Sequence, residues 1–160
     1  MAGAGHHSCE GPKRGAPAPV DVAEPRVVMH LRTGLTVRVA RDAGRTRVSV
    51  HGEVDLDSAD MLNRVLADCL RSSADGAGVD VDLTGTGFFD CAGLNTLLRA
   101  RALAEAFGAR FTVSAVSAPV ARVLDLTYCR DTFPEAVVRT APRRRGESLR
   151  VMAAELVATG

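Results

Sequence analysis

Val-Asp-Val-Asp-Leu-Thr-Gly-Thr-Gly-Phe-Phe-Asp-Cys-Ala-Gly-Leu-Asn-Thr-Leu-Leu, residues 79–98, decides how this chain folds. Its first part alternates Val79, Val81 and Leu83 with Asp80 and Asp82, the two-residue period of a half-buried strand. Its last part sets Leu94, Leu97 and Leu98 at helical spacing. Between them, Gly85-Thr86-Gly87 reads as a tight turn. The stretch therefore predicts a short strand running through a Gly-rich turn directly into a helix. Backbone N–H groups at such a helix start are unpaired and the positive end of the dipole points outward, so Asp90 and Cys91 face whatever approaches the junction.

The same alternation recurs on either side. Leu35, Val37 and Val39 alternate with Thr36 and Arg38, and Val48 and Val50 alternate with Arg47, Ser49 and His51. Asp42-Ala43-Gly44 supplies the turn of a hairpin between them. Phe111, Val113 and Ala115 alternate with Arg110, Thr112 and Ser114. Strands covered by helices on both faces read as unbroken apolar runs, whereas each of these keeps a polar face. The expected fold is an α/β domain, a four- to five-stranded mixed sheet with helices packed on one face.

A first helix is predicted over about 57–73, with Met61, Leu62, Val65, Leu66, Cys69 and Leu70 on one arc and Asp57 or Ser58 as its cap. The second, about 92–107, carries Leu94, Leu97, Leu98, Leu103, Ala104 and Phe107 and stops at Gly108. A third starts at Ser117, holds Pro119 in its first turn, turns Val120, Val123 and Leu124 inward and ends near Thr127. Residues 1–26, rich in Gly, Ala and Pro without a period, predict a disordered leader. Residues 137–160 read as a basic link, Arg143-Arg144-Arg145, followed by a further helix from Ser148.

Composition narrows the function. The 160 residues, 46% hydrophobic and 24% charged, suit one domain with tails. A net charge of +1, with one Tyr, five Phe and no Trp, gives neither a basic field nor stacking platforms, so nucleic acid is not an expected partner. No run approaches the roughly 18 apolar residues of a membrane span, and a soluble, cytoplasmic protein without membrane contact is expected. Cys9, Cys69, Cys91 and Cys129 contain no CxxC pair, and His6-His7 lies in the leader. No metal, disulfide or cofactor is expected.

The junction fails as a nucleotide site. Where a dinucleotide fingerprint needs its third glycine, the chain has Asp90, and no Gly-Lys-Ser/Thr occurs, the only lysine being Lys13. As a nucleophile Cys91 lacks the arginine six residues on that a cysteine phosphatase needs, that position being Leu97. The histidines, His6, His7, His30 and His51, supply no obvious base. Cys91 then reads as a small, half-buried residue closing the turn, and no catalytic residue is expected.

Taken together, Gly52-Glu53-Val54-Asp55, Val81-Asp82-Leu83-Thr84, Phe88-Phe89-Asp90-Cys91-Ala92-Gly93-Leu94 and Ser117-Ala118-Pro119-Val120 resemble the STAS domain of bacterial anti-sigma factor antagonists over residues 33–136. The resemblance implies a non-enzymatic switch that binds an anti-sigma factor, often a serine kinase of the histidine-kinase-like ATPase fold, and so frees a sigma factor. It also implies a phosphoacceptor serine just after the turn's Asp. Here Cys91 holds that position, followed by Ala92 and Gly93, so the expected protein is not controlled by phosphorylation there. Asp55 and Asp90 take the family's two flanking acidic positions. Asn95 and Arg99, on the less apolar side of the second helix, join them in the expected partner surface. Thr84 and Thr86 suit a turn and Thr96 a helix surface, so each is expected to be structural, while modification of one of them in place of the serine stays open. Two other outputs remain open: a STAS subunit that self-associates in a stress-sensing assembly, and a thiol sensor working through Cys91.

Overall fold

The computed structural model describes residues 25–42, 44–73 and 78–140. They form one six-stranded sheet whose spatial order, β1 to β6, is the order of the chain. The strands are β1 (Arg26–Met29), β2 (Thr36–Asp42), β3 (Arg45–Val54), β4 (Gly78–Phe89), β5 (Arg110–Val116) and β6 (Val137–Val138). The first three pair antiparallel, while β3, β4, β5 and β6 run parallel. Helices α1 (Leu56–Arg71), α2 (Cys91–Phe107) and α3 (Ala118–Leu126) occupy the crossovers, with a 3-10 turn at Arg130–Thr132. Parallel crossovers are right-handed almost without exception. Each one here steps to the next strand in the same direction, so all three helices land on one face.

That covered face holds the core. Val37 lies opposite Val50 and Val39 opposite Val48, which turns the hairpin's valines to one side. Leu62, Leu66 and Leu70 of α1, Leu97 of α2 and Leu124 of α3 close over them and over Val79, Val81 and Leu83 of β4, each at most 1% exposed. Full burial of one such side chain stabilises the fold by about 1.5–3 kcal/mol.

The structure corrects several expectations. The sheet has six strands rather than four or five, because β1 and β6 are edge strands of four and two residues, too short for alternation to reveal. Gly85-Thr86-Gly87 is not a turn: β4 runs on to Phe89. Its pairing with β3 shifts register between Ser49 and His51 and again between Gly52 and Glu53, and the bulged strand absorbs the glycines. A Cβ at residue 85 would overlap the imidazole of the facing His51, so only glycine leaves that ring its place. The cap of α1 is Asp55, not Asp57 or Ser58. Phe107, expected inside, is 51% exposed at the last residue of α2. Gly108 does end that helix, in the left-handed conformation at φ 64°. The expected leader, apart from Pro25 and Arg26, lies outside the described residues, as do Arg143-Arg144-Arg145 and the helix expected from Ser148.

Candidate functional site

Parallel pairing creates the site. Val54 at the end of β3 and Phe89 at the end of β4 are direct partners, so the residues that follow them, Asp55 and Asp90, emerge side by side. Each is the N-cap of the helix it begins. Asp55 and Ser58 form a reciprocal box: Ser58 N–H donates to Asp55 Oδ1 at 2.9 Å, and Asp55 N–H donates to Ser58 Oγ at 3.0 Å. The Ser58 hydroxyl also lies 2.8 Å from Asp55 Oδ1. That hydroxyl, and then the Ser58 N–H, hold the Asp55 carboxyl below its ordinary value.

Asp90 Oδ1 accepts from Ala92 N–H at 2.8 Å and Gly93 N–H at 3.1 Å. The donors that a free helix start would offer to an anion are therefore taken by the chain's own carboxylate. Cys91, the first residue of α2, is exposed rather than half-buried, and projects outward beside this cap. Ala92 is half-buried and Gly93 buried. A Cβ at residue 93 would sit 2.7 Å from Phe89 Cε2 and 2.9 Å from Val54 Cγ1, so this glycine lets α2 close onto the sheet. Asn95 and Arg99 are exposed, each four residues after the last, and extend the stripe that Cys91 begins.

The three threonines divide. Thr84 Oγ1 and N–H donate to Asp82 Oδ1 at 2.7 and 2.9 Å. Thr86 is 2% exposed, and its carbonyl accepts from the Ser117 hydroxyl at 2.6 Å, tying β4 to the start of α3. Thr96, expected on the helix surface, is 4% exposed, and its hydroxyl donates to Ala92 O at 3.1 Å within α2.

Asp55 and Asp90 share a shallow cleft of about 440 Å³ with Glu53, Leu56, Asp57 and Phe88. Sequence reading missed the last four as site residues. Leu56 is 77% exposed and Phe88 47%, so two apolar side chains stand among four carboxylates with no basic residue in the lining. The signal available in the sequence was the mismatch of two large apolar residues within two positions of acidic residues that cap helices. Among the described residues no three His, Cys, Asp or Glu side chains are placed so that they could hold a metal ion together. No helix of the described residues is long and apolar enough to cross a membrane.

Comparison with known proteins agrees with this geometry. The solved anti-sigma factor antagonist from Mycobacterium paratuberculosis is similar at 26% identity and a TM-score of 0.53, covering 76% of this chain and 94% of its own. SpoIIAA, an anti-sigma factor antagonist solved in its unphosphorylated form, is similar at 14% identity and a TM-score of 0.50, covering 82% and 96%. An anti-sigma-factor antagonist (STAS) domain protein from Planctomyces limnophilus reaches 20% identity and 0.50, covering 73% and 97%. These last two speak to the fold alone. No curated protein sequence matches the chain. The family model described as Mlab, STAS domain matches residues 37–129, more than half of the chain, and with the fold and the paired caps it shows that the protein belongs to the STAS domain family.

Proposed function

We propose that this protein is a regulatory binding protein of the anti-sigma factor antagonist type. The end of the sheet carrying Asp55, Asp90 and Cys91 docks an anti-sigma factor, including one that is a serine kinase of the histidine-kinase-like ATPase fold. In this reading the protein is not switched by phosphorylation at residue 91. The observation that carries it is the exposed Cys91 on the first turn of α2, beside the acidic and apolar cleft. A phosphoserine there would add roughly 1.5 to 2 negative charges to a surface already holding four carboxylates. A thiol is not an ordinary acceptor for a serine kinase, so that charge is not added and the surface stays competent to bind.

The test is to incubate the protein with each histidine-kinase-like ATPase from its own genome, reading complex formation with and without ATP and phosphate incorporation. A stable complex without phosphate on the native chain, and phosphate on Cys91→Ser, is the expected result. Stoichiometric phosphate in the native 84–96 peptide would overturn the unswitched reading, and absence of any complex would overturn the partner assignment. Asn95→Ala and Arg99→Ala should weaken the complex without unfolding the domain; unchanged affinity for both removes α2's stripe from the contact.

A further inference from the structure

A second cleft lies at the opposite end of the sheet and has the opposite character. Arg41 pairs with Thr46 near the start of β3, whereas Asp55 follows that strand's end. Here β1, β2 and the last turns of α1 enclose a cleft of about 290 Å³, at the small end of the range of about 300–1,000 Å³ for ligand pockets. Its floor is apolar: Val39, Val65 and Cys69 are 8%, 8% and 5% exposed. Its rim carries Arg26 and Arg41.

Register explains why the two arginines line the same cleft. Arg26 lies directly opposite Val39, and Arg41 is two residues beyond Val39 on the same strand. Both side chains therefore leave the helix-covered side of the sheet. Both also reach the floor electrostatically: burial pushes the Cys69 thiol up, Arg41 lowers it, Asp68 raises it and Arg26 lowers it. Among the described residues neither arginine has an ion-pair partner, whereas Asp68, on the facing wall, is held by Arg71 at 3.2 Å. The end of α1 is ordinarily hostile to anions, but here the Asp68 and Cys69 carbonyls are taken. The Ser72 N–H and hydroxyl donate to Asp68 O at 3.0 and 2.8 Å, and the Ser73 hydroxyl donates to Cys69 O at 2.8 Å.

We propose that this cleft binds a small amphipathic anion, with a carboxylate or phosphate monoester head between Arg26 and Arg41 and a short alkyl tail on Val39, Val65 and Cys69. Guanidinium groups match such heads with paired, charge-assisted hydrogen bonds, and the buried floor supplies the apolar contact that a free inorganic anion would not use.

Titrating the isotope-labelled full chain with octanoate and with octyl phosphate, below their micellar concentrations, tests the proposal by amide shifts. Saturable shifts centred on Val39, Val65 and Cys69 are expected, and whichever octyl anion binds more tightly identifies the head. Acetate, methyl phosphate and octanol should each bind at least about tenfold more weakly. Arg26→Gln and Arg41→Gln should each cost about tenfold, or about 1.4 kcal/mol, as for one lost charged hydrogen bond. Absence of saturable shifts with both octyl anions overturns the proposal. So does octanol, or a head group alone, binding as tightly as the octyl anions, and so does unchanged affinity in either single variant whose ligand-free spectrum shows the native fold.

Discussion

Two aspartates each hold down a helix while lining a common cleft, and the two duties can be separated by experiment. Asp90→Ala should cost about 1 kcal/mol of stability through loss of the cap, measurable by urea unfolding; an unchanged midpoint would mean that the cap contributes nothing. Asp55 adds a pH signature. Its folded value lies below that of the unfolded chain, so its contribution is present above the unfolded value, about 3.9, and is lost as pH falls through the folded one. The native chain should therefore lose stability on acidification below about pH 4 more steeply than Asp55→Asn; parallel curves would remove Asp55 as the source. Asp90 was legible as a cap because it directly precedes the apolar spacing of α2. Asp55 was not, since the first turn of α1 begins with the exposed Leu56, and the inward pattern becomes visible only from Met61. Cys91 was read as half-buried; as the first residue of α2 it is exposed.

Helix α2 shows what a propensity argument alone would get wrong. Alanine favours a helix over glycine by about 1 kcal/mol, yet Gly93→Ala should destabilise by about 1–3 kcal/mol, because its Cβ would press on Phe89 and Val54 in the core. Thermal unfolding decides, and a gain in stability would show that the core yields. Helix α3 has the reverse case. Its end makes both bonds of a Schellman motif, Cys129 N–H to Leu124 O at 2.9 Å and Tyr128 N–H to Asp125 O at 3.3 Å, with Tyr128 at φ 55° where glycine is favoured. Tyr128→Gly should stabilise by up to about 1 kcal/mol, since Tyr128 is 93% exposed and loses no packing; a loss would mean that the ring holds something in place. Helix stops, and the inward faces apart from Phe107, were legible from spacing. The passage of β4 through Gly85-Thr86-Gly87 was not, because it depends on His51 of the neighbouring strand lying against Gly85.

On the scale of the whole molecule, one-sided burial was legible from the polar face that every longer strand keeps, and the crossover rule supplies its geometric cause. The edge strands were not, because two or four residues carry no period. The two ends of the sheet differ in sign, carboxylates following β3 and β4 and arginines beside the start of β3. If the acidic end meets the partner, association should slow as salt is raised while dissociation changes less, as stopped-flow mixing with the captured kinase would read; a salt-independent association rate points to apolar docking through Leu56 and Phe88 alone. The coincidence of spatial and chain order among the strands reaches beyond the folded state. No strand has to be inserted between two that are already paired, so each can add to a finished edge as it leaves the ribosome, and the growing sheet exposes only one new edge at a time.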